Sequence, residues 1–459
     1  MAGLIATLRS GAWVTRERTR LVAGLLLAAA LIGIVFLVAT SDGRNDRFGR
    51  PLGTDFSNVY AAGTYVLDNE PAAPFDPPRQ YAREQAIFGK DTPFYGWHYP
   101  PFFLGLAALL ALMPYALALA VWQGVTLILY LLSIRAILSM IVPSPLRGEG
   151  QGEGDRTYPY RPEPPHPAGQ GPADLSPTGR GEEGEALAKD RLWLLLALAF
   201  PAVFINIGHG HNGFLTAALF AGGLVLLDRR PWVAGILFGC LAYKPQFGML
   251  IPLVLAVSGR WRAFASAAAT VAALTLAVTL AFGMDVWSAF LASTKFTRTV
   301  VLEQGGTGWH KIQSVFSVVR MWGGGIALAY TAQIATALFV AAALVWLWRG
   351  RAPFALKAAA LLIGTVLATP YSLDYDLVLL APAIAFAAAD GIERGFVPWQ
   401  KTILAFLWLV PLVARTLAQA TMIPLAVPLM LVAFAFILRC AMVDNTAPAP
   451  WRFAGRPLK

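Results

Sequence analysis

Residues 16–40 read RERTRLVAGLLLAAALIGIVFLVAT, and this stretch decides the fold class. After Arg16, Arg18 and Arg20 no charge appears until beyond Thr40. An apolar helix of that length covers about 30 Å of hydrocarbon. Basic residues ahead of such a run keep its N-terminal end in the cytoplasm, so it reads as a retained first helix and not as a cleaved signal. Similar apolar runs follow near 102–113, 116–140, 191–207, 212–227, 231–243, 246–258, 263–283, 326–348, 355–369, 374–390, 400–418 and 422–440. Several are shorter than the roughly 17 residues that cross hydrocarbon unaided, and those are expected to be tilted, broken or only partly inserted.

The whole chain has this character. Of its 459 residues, 57% are apolar and 14% charged, against about 25% charged in soluble proteins. The expected fold is an all-α, polytopic membrane bundle of about 11–13 spans, with extracytoplasmic loops that carry short helices. The net charge of +10 does not point to nucleic acid, because the basic residues lie in short loops between apolar runs. Cys240 and Cys440 lie within or at the end of apolar runs and suggest neither a disulfide nor a metal site.

Charge also sets the expected orientation. Asp228-Arg229-Arg230, Arg260-Trp261-Arg262, Arg349-Gly350-Arg351, the loop from Arg394 to Lys401 and the tail from Arg452 to Lys459 read as cytoplasmic. His209 to Asn212, Lys244 to Gln246, Met284 to Gly325, Tyr371 to Asp376 and the polar stretch from Ser41 to Tyr99 then fall outside. The count conflicts at one point. Passing from an outside Tyr99 to an inside Asp228 needs an odd number of crossings, yet four apolar runs intervene. Either one of them does not cross, or the charge rule fails once.

Three regions are expected: residues 1–142 with the first spans and first outer loop, 143–189, and 190–459 with the remaining bundle. The middle one, Pro143 to Lys189, is rich in Gly, Pro, Glu and Arg. It lacks the apolar surface to offset its ordering entropy and is expected to be disordered, as an inert insertion.

Five outer segments carry the candidate chemistry. In the first loop, Asp55, Tyr60 and Tyr65 fall on a short helix whose Val59, Ala62 and Val66 would face the membrane. A carboxylate there can take the proton of an attacking hydroxyl, or it can simply cap the helix after Thr54. The loop ends in Trp97-His98-Tyr99-Pro100-Pro101. The second segment, Asn206 to Gly213, holds His209, His211 and Asn212. Two histidines two residues apart without a third ligand suit hydrogen bonding better than a metal. In the third, Lys244 before Pro245-Gln246 is either an interfacial snorkelling lysine or a cation for a lipid phosphate. The fourth, Asp285 to Gly325, carries Lys295, Arg298, His310, Lys311, Gln313, Ser314 and Arg320, a basic load that calls for an anionic partner outside. The fifth, Thr369 to Asp376, offers Tyr371, Asp374 and Asp376, with Ser372 a candidate helix cap.

In order along the chain, Asp55-Phe56 with Tyr60 and Ala62, Tyr99-Pro100-Pro101, Gly210-His211-Asn212, Lys244-Pro245-Gln246, Gln313-Ser314 and Thr369-Pro370-Tyr371-Ser372 with Asp374 resemble glycosyltransferase family 87. That family comprises membrane-embedded GT-C-type enzymes, among them polyprenol-phosphate-mannose-dependent mannosyltransferases. The resemblance runs from about Asp55 to Phe386, the insertion excepted. It implies Asp55 as general base and a polyprenyl-phosphate sugar as donor. A lipid or glycan acceptor is expected, with no cofactor or metal required, in a multi-pass plasma-membrane protein whose termini the charge rule puts in the cytoplasm. From the five segments, the candidate sugar contacts are Tyr60, His98, Tyr99, His209, His211, Asn212, Gln246, Gln313, Ser314, Tyr371, Asp374 and Asp376. Phosphate contacts would come from Lys244, Arg298, His310, Lys311 and Arg320. Two blocks depart from the family pattern. Gly210-His211-Asn212 stands where Gly-Gln-Asn is common, and Ser372-Leu373-Asp374-Tyr375-Asp376 where Ser-Trp-x-His-His is common. The sugar is therefore read as a hexose, with mannose one candidate. The competing class is a transporter or flippase of lipid-linked or other anionic substrates. That class favours midplane charges and repeated halves, neither of which is evident here.

Overall fold

The computed structural model describes residues 2–140 and 191–446. The insertion expected over 143–189 and the basic tail Arg452 to Lys459 lie outside the described residues. Among the described residues every regular element is helical. Seven helices are long and apolar enough to cross a membrane. A further pair, Leu192–Leu198 and Pro201–His209, is bent by 46°, where Pro201 can offer no N–H to the preceding turn. The chain is a polytopic helical membrane protein, as its composition demands.

Two helices mark the extremes of environment. In Arg16–Ala39 only 6% of the apolar window is buried, so its side chains face outward, where only lipid suits them. In Phe354–Ala368 every residue from Ala358 onward is buried. A helix apolar on all sides belongs at the centre of a bundle, and this one anchors the main core.

The loops sort to two ends. At one end Arg260 pairs with Asp228 at 2.9 Å and lies over the rings of Trp348 and Phe354. The Lys357 ammonium donates to the Gly350 carbonyl, and the Thr402 hydroxyl to the Leu8 carbonyl. This is the basic end. Residues 53–55, 97–101, 209–213, 243–246 and 369–376 meet at the other.

The helix Thr54–Leu67 corrects one sequence expectation. Val59 and Ala62 do not face lipid; they pack against the helix formed by 101–111. Gly63 allows the close approach, since a Cβ there would stand 2.1 Å from the Ala107 carbonyl oxygen. An apolar stripe reports that something apolar covers it, and here that is protein.

This packing also closes the crossing count. The 101–111 helix starts beside Tyr243, on which Phe103 stacks at 5.1 Å. It leads to Tyr115, whose hydroxyl donates to the Leu52 and Gly53 carbonyls. Both its ends therefore lie at the same end of the bundle, and the apolar run 102–113 does not cross. Three traverses remain before Asp228: Tyr115–Leu138, the bent pair, and Gly213–Leu226. Seven helices, or eight with the bent pair, are long and apolar enough to cross among the described residues; the expected 11–13 spans are reached only if four of the five shorter apolar helices cross as well.

The four short traverses are Gly213–Leu226, Pro231–Tyr243, Pro245–Val257 and Phe354–Ala368. At 1.5 Å per residue each spans roughly 20 Å, against about 30 Å of hydrocarbon. Their ends at Gly213, Tyr243, Pro245 and Ala368 converge on one floor. That floor lies about 8–10 Å below the rim set by the longer helices.

Candidate active site

The site is built where the start of Thr54–Leu67 meets the end of Pro201–His209. Gly53 precedes the first helix with φ +67°, and no side chain caps it. Asp55 is thus in the first turn but is not its cap. Gly210, with φ +61°, turns the chain at the end of the second helix. A Cβ on Gly210 would stand 2.6 Å from Cβ of Phe56 and 3.2 Å from Cα of Gly53. Glycine at 210 is what lets the two segments touch. As a result His209 Nδ1 lies 3.7 Å from the Asp55 carboxylate and 2.7 Å from the Thr54 hydroxyl.

Beneath this pair is a polar floor. Lys244 precedes Pro245, which pushes it off helical geometry, to φ −133° and ψ 69°, and breaks the helix there. The freed ammonium donates to Asp376 at 2.7 Å. The other Asp376 oxygen accepts the Leu373 N–H at 3.0 Å. His211 Nε2 lies 3.3 Å from the Tyr99 hydroxyl and 3.4 Å from the Lys244 ammonium. The His211 ring stacks on Tyr375 at 3.5 Å. Asn206 locks the turn: its amide donates to the Tyr375 carbonyl and accepts the Gly213 N–H.

Among the described residues, the buried polar atoms around this floor without a hydrogen-bond partner include both amide atoms of Asn212, Nδ1 of His211 and Oγ of Ser372. Ser372 therefore does not cap the following helix; Asp376 closes that first turn instead. Leaving such groups unpaired costs about 1–3 kcal/mol each. They are the places where a bound hydroxyl-rich ligand or water gains most.

The wall is made by 297–314. It is tied to the floor segment by the Gln313 N–H donating to the Ser372 carbonyl at 2.6 Å. His310 and Lys311 stand on a short turn. Burial, then the neighbouring Arg415, holds the Lys311 ammonium below its usual range, and burial followed by Lys311 does the same to His310. The other expected cations are already engaged. Arg320 donates to the Gly324 and Glu303 carbonyls and lies over Trp309, and Arg298 is 3.6 Å from Glu303. Ser314 caps the helix Val315–Met321, and the Gln313 amide donates to the His310 and Lys311 carbonyls. Tyr60 donates to the Met113 carbonyl. His98 meets the Thr297 hydroxyl at 2.9 Å, and burial pushes its imidazole down to about 4. Gln246 and Tyr371 are half-buried.

Two site residues were not singled out from sequence. Arg415 lies 3.3 Å from Asp374, whose other oxygen accepts the Tyr375 N–H. Its signal was present, since an arginine inside the apolar run 400–418 needs a reason to be there. Glu84 had none, being one acid among many on a polar helix. It is fully buried and accepts the Tyr95 and Gly96 N–H groups, each at 3.0 Å, which fixes the irregular segment that delivers Trp97 to Tyr99.

Burial raises the Glu84 carboxyl to about 7. A carboxyl whose folded pKa exceeds its unfolded value stabilises most at low pH, and that contribution is lost as pH rises through about 7. Glu84→Gln should therefore gain on the wild type by up to about 3 kcal/mol between pH 5 and pH 8. Thermal unfolding of both proteins across that range checks this; a gap that does not change with pH would refute it.

A family model described as glycosyltransferase family 87 matches residues 97–370. The matched stretch contains Tyr99, His211, Asn212, Lys244, Gln246, His310, Lys311 and Gln313. It ends short of Asp55 on one side and of Asp374, Asp376 and Arg415 on the other. No curated protein and no solved structure matches the chain.

Proposed function

The chain belongs to glycosyltransferase family 87, and from that premise we propose that it moves a hexose from a polyprenyl-phosphate sugar to a lipid or glycan acceptor, with Asp55 as general base. The observation that carries the reading is the Asp55 carboxylate standing over a recessed floor with unpaired buried hydrogen-bonding groups. Those groups suit sugar hydroxyls.

A second feature supports a lipid-linked donor. An apolar groove of about 680 Å³ runs between Pro231–Cys240, Leu250–Val257 and Trp261–Phe282. Pro100, Pro245, Trp287 and Phe290 are among the residues that line it. Pro100 follows Tyr99 and Pro245 follows Lys244, so the groove leads from membrane depth to the floor. Its apolar lining suits an isoprenoid chain.

The step is a single displacement. The acceptor oxygen bonds to the anomeric carbon as its proton passes to Asp55. The bond from that carbon to the phosphate oxygen breaks, and polyprenyl phosphate leaves with the electron pair. Lys311 and His310 face the negative charge that grows on the leaving group. The positive-inside rule assigns the basic end to the cytoplasm and hence the site to the extracytoplasmic side of the plasma membrane.

The test is activity of the purified protein against a panel of polyprenyl-phosphate hexoses, mannose included, with lipid and glycan acceptors. A new glycosidic bond from at least one donor is expected. Movement of the lipid-linked sugar across a vesicle membrane without bond formation would overturn the proposal in favour of a transporter.

A further inference from the structure

We propose that Arg415 is a substrate-binding residue, and that with Lys311 it forms a built site for the phosphate of a lipid-linked substrate, gathered around Asp374. The proposal rests on the lipid-linked transfer just described and adds to it a residue that lies outside the matched family region.

Depth is the first argument. Arg415 is on Gln400–Thr421, six residues before the helix ends. It therefore sits about 9 Å below the rim, level with the floor. A guanidinium held there is costly unless something meets it. The helix packs against the turn carrying His310 and Lys311, the helix ending in His209, and the segment opened by Asp374. Arg415 is thus the fourth wall of the same site.

Charge balance is the second argument. Asp376 is paired with Lys244, and Asp55 is the carboxylate assigned to the proton transfer, 3.7 Å from His209. Asp374 remains, and it meets Arg415 through one nitrogen at 3.3 Å. A guanidinium has five N–H donors, and the Arg415 side chain is still 36% exposed. The Lys311 ammonium has no hydrogen-bond or ion-pair partner among the described residues. Around Asp374, therefore, two cations stand near one carboxylate that pairs with only one of them, a local excess of positive charge at a recessed, half-buried point. A phosphate has the charge to balance it, and a guanidinium fork matches phosphate oxygens. The bland alternative is that Arg415 merely neutralises the buried Asp374.

The experiment separates these. Full-length purified protein is assayed as wild type, Arg415→Gln, Arg415→Lys, Lys311→Gln and the double variant Arg415→Gln/Asp374→Asn. The KM values for donor and acceptor are read separately, and short-chain polyprenyl monophosphate serves as inhibitor and as ligand in direct binding. Arg415→Gln should weaken monophosphate binding at least tenfold, with Arg415→Lys in between. If the phosphate is the donor's, the donor KM rises by a similar factor and the acceptor KM does not. If it belongs to a phospholipid acceptor, the acceptor KM rises instead. The double variant should recover neither. Recovery in the double variant, or unchanged KM values and binding in Arg415→Gln, would overturn the assignment. Absence of any transfer by the wild type would count against the proposed reaction, while loss of monophosphate binding in Arg415→Gln would still support the site.

Discussion

Asp55→Asn should abolish most transfer, lowering kcat by about 10²–10⁴-fold, while the protein stays folded. The substitution keeps the shape of the side chain and removes its capacity to take a proton. Little structure depends on the charge. Asp55 is 20% exposed, its nearest charged partner is His209 at 3.7 Å, and it makes no cap bond to its own helix. Its carboxylate gains about 0.3–1 kcal/mol from the helix start. Thermal unfolding should therefore shift little. Among the described residues, His209 is the competitor for the role of base that stands nearest Asp55. Its Nδ1 is already shared with the Thr54 hydroxyl at 2.7 Å, so His209→Gln should cost less than Asp55→Asn. Intact transfer in Asp55→Asn, or a larger loss in His209→Gln, would remove Asp55 from the chemistry.

Membrane class and approximate span number were legible because apolar length is a local property, written in runs such as Leu21 to Thr40. The role of the run 102–113 was not. Its apolar residues serve Val59, Ala62 and Gly63, some fifty positions earlier, and no periodicity says which surface an apolar stripe meets. The same limit explains the site. Tyr99, Lys244 and the acids near 374 announce themselves as polar groups beside apolar runs. Their partners do not: Lys244 meets Asp376 across 132 positions and Arg415 meets Asp374 across 41. The pairing decides function, because a lysine joined to a buried aspartate is no longer a free cation for phosphate. Asp374 and Asp376, two residues apart on the start of one helix, divide between two different cations. Sequence shows the two acids but not that division.

That division underlies the second large effect. Lys244→Met should destabilise the protein by about 3–5 kcal/mol, because it leaves the Asp376 carboxylate buried without its counter-ion. Both partners are almost fully enclosed, at 5% and 3% side-chain exposure. Solvent therefore cannot replace the missing charge. The loss should reach the chemistry too, since Lys244 stands 3.4 Å from the His211 nitrogen that also faces Tyr99. Lys244→Met/Asp376→Leu removes both charges, and apolar side chains of similar bulk often restore what one broken pair loses. Its thermal unfolding should recover part of the single variant's loss, short of the wild type by the about 1–3 kcal/mol that the Leu373 N–H costs once its Asp376 acceptor is gone. Inhibition by polyprenyl monophosphate should then match the wild type if, as proposed, Lys311 and Arg415 hold the phosphate. A stable double variant that no longer binds the monophosphate would make Lys244 the phosphate ligand instead. A single variant as stable as the wild type would show that Asp376 does not depend on Lys244.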